Sequence, residues 1–296
     1  MSGTADSLQG ERGRLFAIAY RMLGSAGEAE DMVQEAYLRW YAQPREEVQN
    51  PPAFLTTMVT HLCLDELKSA RRQRELYPGV WLPEPVAPGE VDGPEDDLEK
   101  LESISFAFLS LLETLGPLER AVYLLAEVFD HSHAEIATII GRTPEACRQV
   151  LHRAKRSLAS RKRSNASEAR HRELLASFLM ATRRGDVDCL ARLLADDVES
   201  RADGGGFVNA ATKPVVGVRA VSRLYAGLAG LVPQDLAMRI ERVNGSPAAL
   251  LSSGGVLLSV LQVQVQDDRI SRIDNVINPR KLKRLASAFG LRTSVA

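Results

Sequence analysis

Apolar residues recur along the first 160 positions of this 296-residue chain with a helical period, and along the last hundred with an alternating one. Leu15, Ile18, Ala19 and Met22 share a face and predict a helix over Leu8–Leu23 that Gly24 ends. A second is predicted over Ser25–Tyr41, with Met32, Val33, Ala36 and Trp40 on its apolar side. Glu28, Asp31, Gln34 and Glu35 lie opposite, and Pro44 stops it. A polar loop, Arg45–Asn50, leads to Pro51-Pro52 and a third helix with Phe54, Leu55, Met58, Val59 and Leu62 on its apolar side. That helix runs past Lys68 into Arg71, Arg72 and Arg74. Trp81-Leu82-Pro83-Glu84-Pro85 cannot be helix interior, because proline lacks the backbone donor and clashes with the preceding turn. With Val86–Gly93 it reads as a linker.

Periodicity resumes at Leu98, and Gly116-Pro117 separates two apolar stripes. Over His131–Arg163 two short helices follow with a tight turn between them. Ser132 with Glu135 has the capping-box spacing, Gly141 supplies the bend, and Thr143 caps a second helix with Pro144 in its first position. Cys147, Val150, Leu151, Ala154 and Leu158 make one apolar face of that helix. Glu145, Gln149, His152 and Arg156 point the other way, flanked by Arg148 and Arg153. This is the pattern of a helix-turn-helix whose second helix presents an exposed, polar, basic face to DNA.

After Ser167 the character changes. Glu168–Arg184 and Val187–Leu194 read as helices, and Gly217–Leu228 as a third. Val198–Ala202, Val215–Val216, Leu236–Val243, Ala248–Ser252, Val256–Gln266 and Arg269–Ile277 read as strands of a curved antiparallel sheet, with a hairpin turn at Asp267-Asp268. Helices first and strands afterwards predict an α+β domain.

Composition narrows the class. Hydrophobic residues at 45% and charged residues at 25% are ordinary for a globular chain, and no apolar run approaches the ~18 residues of a membrane span. Three scattered cysteines, Cys63, Cys147 and Cys189, give neither a disulfide framework nor a zinc spacing, so a cytoplasmic location is expected. Net charge is only −1, but its distribution is uneven. Eight acidic residues and one lysine lie between Glu84 and Glu102; eight basic residues and one glutamate lie between Arg142 and Arg163. The first reads as a solvated linker and the second as a local electrostatic surface.

No catalytic constellation is visible. His131-x-His133 has no cysteine or carboxylate at metal spacing, and no His or Cys occurs from Val198 onward. Asp203, Asp235, Asp267, Asp268 and Asp274 fall mostly at expected turns. Asp203–Gly206 precedes no Gly-Lys-Ser/Thr, so it is not a phosphate loop; consecutive glycines there let a loop bend or let another backbone come close. No cofactor and no metal are expected, and the chain does not read as an enzyme.

Residues 8–74, with Glu28–Tyr37 reading EAEDMVQEAY and Leu64–Leu67 reading LDEL before a basic tail, resemble region 2 of the extracytoplasmic-function (ECF) sigma factors. Residues 98–163 resemble their region 4. The third domain resembles the SnoaL-like cone-shaped fold that one ECF subgroup carries as an extension. Three marks of that subgroup are present: WLPEP at Trp81–Pro85, Asp-Gly-Gly-Gly at Asp203–Gly206, and Asn-Pro-Asp-Lys-Leu at Asn278–Leu282 except for Arg280. Phe207 stands where the subgroup often has lysine. The expected architecture is therefore multidomain, two all-α sigma domains followed by an α+β SnoaL-like domain. Its parts are a region 2 domain at 1–76, a linker at 77–97, a region 4 helix-turn-helix domain at 98–163 and a regulatory domain at 164–296.

The resemblance implies a promoter-specificity subunit for core RNA polymerase. Asp31, Gln34 and Glu35 would dock on the β′ clamp helices, and region 4 on the β flap. Asn50 would lie at a pocket for a flipped −10 base, with Arg71, Arg72 and Arg74 on phosphates. In the −35 reader Arg148 and Gln149 suit guanine and adenine edges, while His152, Arg153 and Arg156 suit phosphates or one further base; Thr143 and Glu145 complete that surface. Trp81, Leu82 and Pro83 would meet Asp203, Gly204, Gly205, Gly206, Asn278 and Pro279 at a regulatory interface. An unidentified small ligand in the C-terminal domain is compatible with the resemblance. The rival readings at this point are a DNA-binding module fused to a SnoaL-type cyclase or isomerase, and a one-component repressor.

Overall fold

The computed structural model describes residues 3–43, 48, 50–91, 103–159 and 166–294, with backbone alone for 3–10 and 70–75. The chain forms two compact units. One comprises residues 1–75 and 89–161; the other comprises residues 76–88 and 162–296. The two helical halves expected as separate domains thus share one unit. Of the segment expected as the linker, residues 77–88 belong to the C-terminal unit.

In the first unit α1 (Gly3–Leu23), α2 (Ala26–Ala42) and α3 (Pro51–Glu75) pack on one another. Leu15, Ile18, Ala19 and Met22 are fully buried, so the face read from the sequence is the one that makes the core. Ser25 caps α2 through its side chain. Trp40 is buried in the core and is not a surface stacking platform. Then come α4 (Phe106–Leu112), α5 (Pro117–Glu127), α6 (His133–Ile140) and α7 (Pro144–Leu158).

Buried polar contacts tie the two halves of this unit. Arg120 of α5 donates to the Met22 carbonyl at 2.7 Å and to Glu113 at 2.8 Å. Arg21 donates to Ser103 Oγ at 2.9 Å and lies 5.4 Å from the Phe129 ring centroid. Burial pulls its pKa down to about 10, so it is still charged at neutral pH. The His61 ring nitrogen of α3 and the Ile139 carbonyl at the end of α6 are 2.6 Å apart. Arg14 donates to His131 Nε2 at 3.0 Å, and burial followed by that neighbouring cation holds His131 below its usual pKa.

The second unit has α8 (Glu168–Arg184), α9 (Val187–Leu193), β1 (Leu194–Asp203), β2 (Val215–Val216), α10 (Val218–Leu228), β3 (Ala237–Val243), β4 (Ser246–Ser253), β5 (Val256–Gln266), β6 (Arg269–Val276) and α11 (Pro279–Ala288). The strand order is β2-β1-β6-β5-β4-β3. A wholly antiparallel sheet is corrected at one place: β1 and β6 pair in parallel. These strands are far apart in sequence, and the chain between them is long enough to make the crossover that parallel neighbours require. Hairpin turns at Asn244-Gly245 and Asp267-Asp268 have positive φ at both residues, as primed turns demand. One face of the sheet packs with α8 and α10 around Leu174, Phe178, Leu179, Tyr225, Leu261, Val263 and Ile273. Phe178 and Tyr225 meet edge to face, 4.8 Å between centroids. α11 packs on β5.

Candidate functional sites: a DNA-reading helix and a linker cradle

The helix-turn-helix forms as its residues dictate. Ser132 Oγ accepts from the Glu135 N–H, and Glu135 accepts from the Ser132 N–H at 2.7 Å, a closed capping box. α6 ends at Gly141 in the left-handed conformation, and the Arg142 N–H returns to the Ala137 carbonyl. Thr143 Oγ1 then accepts from the Ala146 N–H. Cys147, Val150, Leu151, Ala154 and Leu158 are buried; Thr143, Glu145, Arg148, Gln149, His152, Arg153 and Arg156 are all exposed. Arg148 pairs with Glu145 at 2.6 Å, while Arg153 and Lys155 reach Glu119 and Glu127 of α5. Gln149 has an exposed position in the middle of this surface.

On α2, Asp31 and Gln34 are exposed and Glu35 is half-buried, accepting from Arg39 at 2.7 Å. The sequence reading missed that Leu38 and Tyr41 continue the same face, 58% and 60% exposed. Apolar side chains this open beside polar ones are what a protein-docking face offers. Asn50 is exposed and caps α3, its Oδ1 accepting from the Ala53 N–H at 3.2 Å. Arg71, Arg72 and Arg74 lie on the last turns of α3, where side chains are outside the described residues.

The second site lies within the C-terminal unit. Asp203, the last residue of β1, is fully buried and accepts three hydrogen bonds: from Tyr77 Oη at 2.5 Å, the Leu82 N–H at 2.9 Å and Lys281 Nζ at 2.7 Å. Lys281 also donates to the Leu82 carbonyl and lies 4.2 Å from the Trp81 ring centroid and 5.2 Å from that of Tyr77. The ion pair therefore satisfies both backbone groups of Leu82, and two aromatic rings shield it. Burial, then the bond to Asp203, pushes the Tyr77 pKa up. Four residues on, the Val86 N–H donates to Asn244 Oδ1 at 2.9 Å and the Asn244 N–H returns to the Val86 carbonyl at 3.1 Å. Leu82 and Val86 are fully buried, and Pro83 and Pro85 are buried with them. A proline-rich segment suits this role: it is already extended, so little backbone entropy is lost on docking.

The glycines of Asp203–Gly206 make the approach possible. A Cβ on Gly205 would stand 2.1 Å from Asn278 Nδ2 and 3.0 Å from Tyr77 Oη, and Gly205 has φ +58°. One on Gly206 would meet Pro78 Cγ at 2.9 Å. Asn278 caps α11 through its Oδ1 and donates to Tyr77 Oη at 3.0 Å. Gly205→Ala is expected to destabilise this unit by ~2–4 kcal/mol, through the left-handed backbone and the displaced Asn278; a thermal melt measures it, and an unchanged midpoint would refute the packing argument. Tyr77, Lys281 and Asn244 were missed as site residues, and only Lys281 carried a signal, its place in the Asn-Pro-x-Lys-Leu run. The expectation that the aspartates mostly sit at turns is corrected for two of them. Asp203 is a buried strand end, and Asp274 is buried within β6 beside Arg201, 2.7 Å away.

The Sigma-70 region 2 family matches residues 9–73, and the Sigma-70 region 4 family matches residues 105–158. The chain is 32% identical over 282 residues to the ECF RNA polymerase sigma factor SigJ of Mycobacterium tuberculosis, covering 91% of this chain and 90% of that one. It belongs to the ECF RNA polymerase sigma factors. The ECF RNA polymerase sigma factor SigG of the same species is 29% identical, covering 90% of this chain and 78% of its own. The crystal structure of M. tuberculosis SigJ superposes with a TM-score of 0.74 at 30% identity, covering 94% of this chain and 98% of that one. This sigma factor is thus a two-region promoter reader with a fused α+β SnoaL-like extension, and it is not an enzyme. Among the described residues no helix is long and apolar enough to cross a membrane, and no cluster of His, Cys, Asp and Glu could hold a metal ion.

Proposed function

We propose that this sigma factor directs a cytoplasmic core RNA polymerase to promoters read in two parts, and that its C-terminal unit restrains it by holding residues 76–88. The α2 face with Asp31, Gln34, Glu35, Leu38 and Tyr41 docks on the clamp helices of β′, and region 4 docks on the β flap. Arg148 and Gln149 read guanine and adenine edges of the −35 element, with His152, Arg153 and Arg156 on its backbone and Thr143 and Glu145 at the start of the reading helix. The −10 element meets Asn50 and the Arg71, Arg72 and Arg74 stretch. The observation that carries the restraint is the buried Asp203–Lys281 pair gripping both backbone groups of Leu82.

Geometry explains why holding this segment matters. α3 and α6 touch in the first unit, whereas elements centred near −10 and −35 lie about 25 base pairs apart, roughly 85 Å along the duplex. The readers must part before both elements are engaged. The chain between α3 and α4 is residues 76–105, at most about 100 Å when extended. Holding 76–88 takes thirteen residues, about 44 Å of extended chain, out of that span. Promoter separation falls in the range where that difference tells. The C-terminal unit then limits how readily the two readers spread.

Run-off transcription with core polymerase and promoter DNA tests the reading. Initiation that requires this protein and both promoter elements is expected; none, with either the full chain or a chain ending near Arg161, would overturn it. Gln149→Ala is expected to weaken −35-dependent initiation by ~1–3 kcal/mol, roughly 5- to 150-fold, with selective loss of preference at one base pair. A uniform loss across −35 sequences would reassign Gln149 to the backbone.

A further inference from the structure

Two residues at the rim of the cradle are each locally unfavourable. Arg280 is the second residue of α11, after the Asn278 cap and Pro279, where the positive end of the helix dipole disfavours a cation. Phe207 follows the glycine run and is 48% exposed. They resolve one another: the Arg280 guanidinium lies over the Phe207 ring, 4.4 Å from its centroid. They stand 73 positions apart in the sequence and form one contact in space.

We propose that Phe207 and Arg280 are a positioning pair, a clasp that closes the 203–207 loop on the first turn of α11 and so sets how firmly the cradle holds the linker. The route is short. Arg280 donates its backbone N–H to Asn278 Oδ1, Asn278 donates to Tyr77, and Tyr77 donates to Asp203. Gly205 and Gly206, just before Phe207, pack against Asn278 and Pro78. An ion pair at this exposed rim would weaken with salt. A guanidinium stacked on a ring also holds by contact, so this cradle keeps its grip as ionic strength rises. The effect on initiation rests on the restraint described above; the effect on the linker does not.

Amide hydrogen exchange at Leu82 and Val86 of the full chain reads the grip, with Val263 and Ile273 of the sheet as an internal check on folding. Phe207→Lys, which sets two cations together, is expected to speed exchange at Leu82 about tenfold, and Arg280→Asp about threefold. Combining them sets a lysine against an aspartate, an ion pair in place of the cation–ring contact. That double variant is expected to return within about twofold of wild type in low salt and to lose protection between about 0.05 and 0.5 M salt, where wild type holds. A Phe207→Lys variant as protected as wild type, or a double variant no better than the worse single one, would overturn the clasp. Exchange that changes as expected with no change in run-off initiation would leave the clasp standing and contradict the restraint instead.

Discussion

Asp203→Ala is expected to free residues 76–88 and to lower the melting temperature of the C-terminal unit by roughly 10 °C. The carboxylate is fully buried and receives Tyr77, the Leu82 N–H and Lys281. Its removal takes the Asp203 charge away from the Lys281 ammonium, which is 13% exposed. Breaking a buried pair from one side costs ~3–5 kcal/mol, and in a domain of this size each kcal/mol is worth ~2–4 °C. Asp203→Asn separates charge from hydrogen bonding: it keeps an acceptor for Leu82 but not the charge for Lys281, and most of the loss should remain. Lys281→Met leaves the fully buried Asp203 carboxylate with two of its three donors but no Lys281 charge, so its penalty should be comparable. Scanning calorimetry gives the stabilities. Trp81 emission in a Trp40→Phe background reports release, because Trp81 leaves the Lys281 contact. Initiation should rise as stability falls, a divergence that general damage to the fold cannot produce.

The second large effect concerns the first unit. Arg120→Ala is expected to destabilise it by ~2–4 kcal/mol, since Arg120 is 4% exposed and the Met22 carbonyl and Glu113 lose their donor together. Glu113 is 28% exposed and water takes part of its load, which keeps the figure below that of a wholly buried pair. Arg120 belongs to α5 and Met22 to α1, so the contact joins the two promoter-reading halves. Weakening it lowers the cost of parting them. At limiting core polymerase, initiation by this variant should equal or exceed wild type although its melting point is lower. Initiation that falls in step with stability would show that the closed packing is needed for function rather than opposed to it.

The local features were legible because their signals are local. Ser132 with Glu135, Gly141, and Thr143 with Pro144 lie within a dozen residues and form the predicted caps and turn. The split between Cys147, Val150, Leu151, Ala154 and Leu158 and the exposed polar set follows from a 3.6-residue period. The Asp267-Asp268 hairpin needed only two adjacent residues that tolerate positive φ. The cradle was legible in part: the WLPEP, Asp-Gly-Gly-Gly and Asn-Pro-x-Lys-Leu runs pointed to its surfaces, but not to how they join. Tyr77 to Asp203 spans 126 positions, Val86 to Asn244 spans 158 and Lys281 to Leu82 spans 199, and no periodicity connects residues so far apart. Asn244 was hidden further by its second role as a hairpin-turn residue. Prolines in 81–85 argued correctly against helix, but exclusion from helix is not exposure: an extended segment whose backbone groups find charged partners can be buried whole.

The most direct test locks the cradle reversibly. A Cβ built on Gly206 lies 3.6 Å from Pro78 Cβ, within the ~3.5–4.5 Å that a disulfide spans. Pro78→Cys with Gly206→Cys, combined with Cys189→Ser because Cys63 and Cys147 are buried, gives a protein whose linker can be fixed and freed in one sample. Run-off initiation is compared before and after reduction, with each single-cysteine protein as control. The account predicts that the oxidised form initiates several-fold less than wild type and that reduction restores it. Equal initiation in the two states, with the disulfide verified by mass, would contradict the claim that holding residues 76–88 restrains this sigma factor.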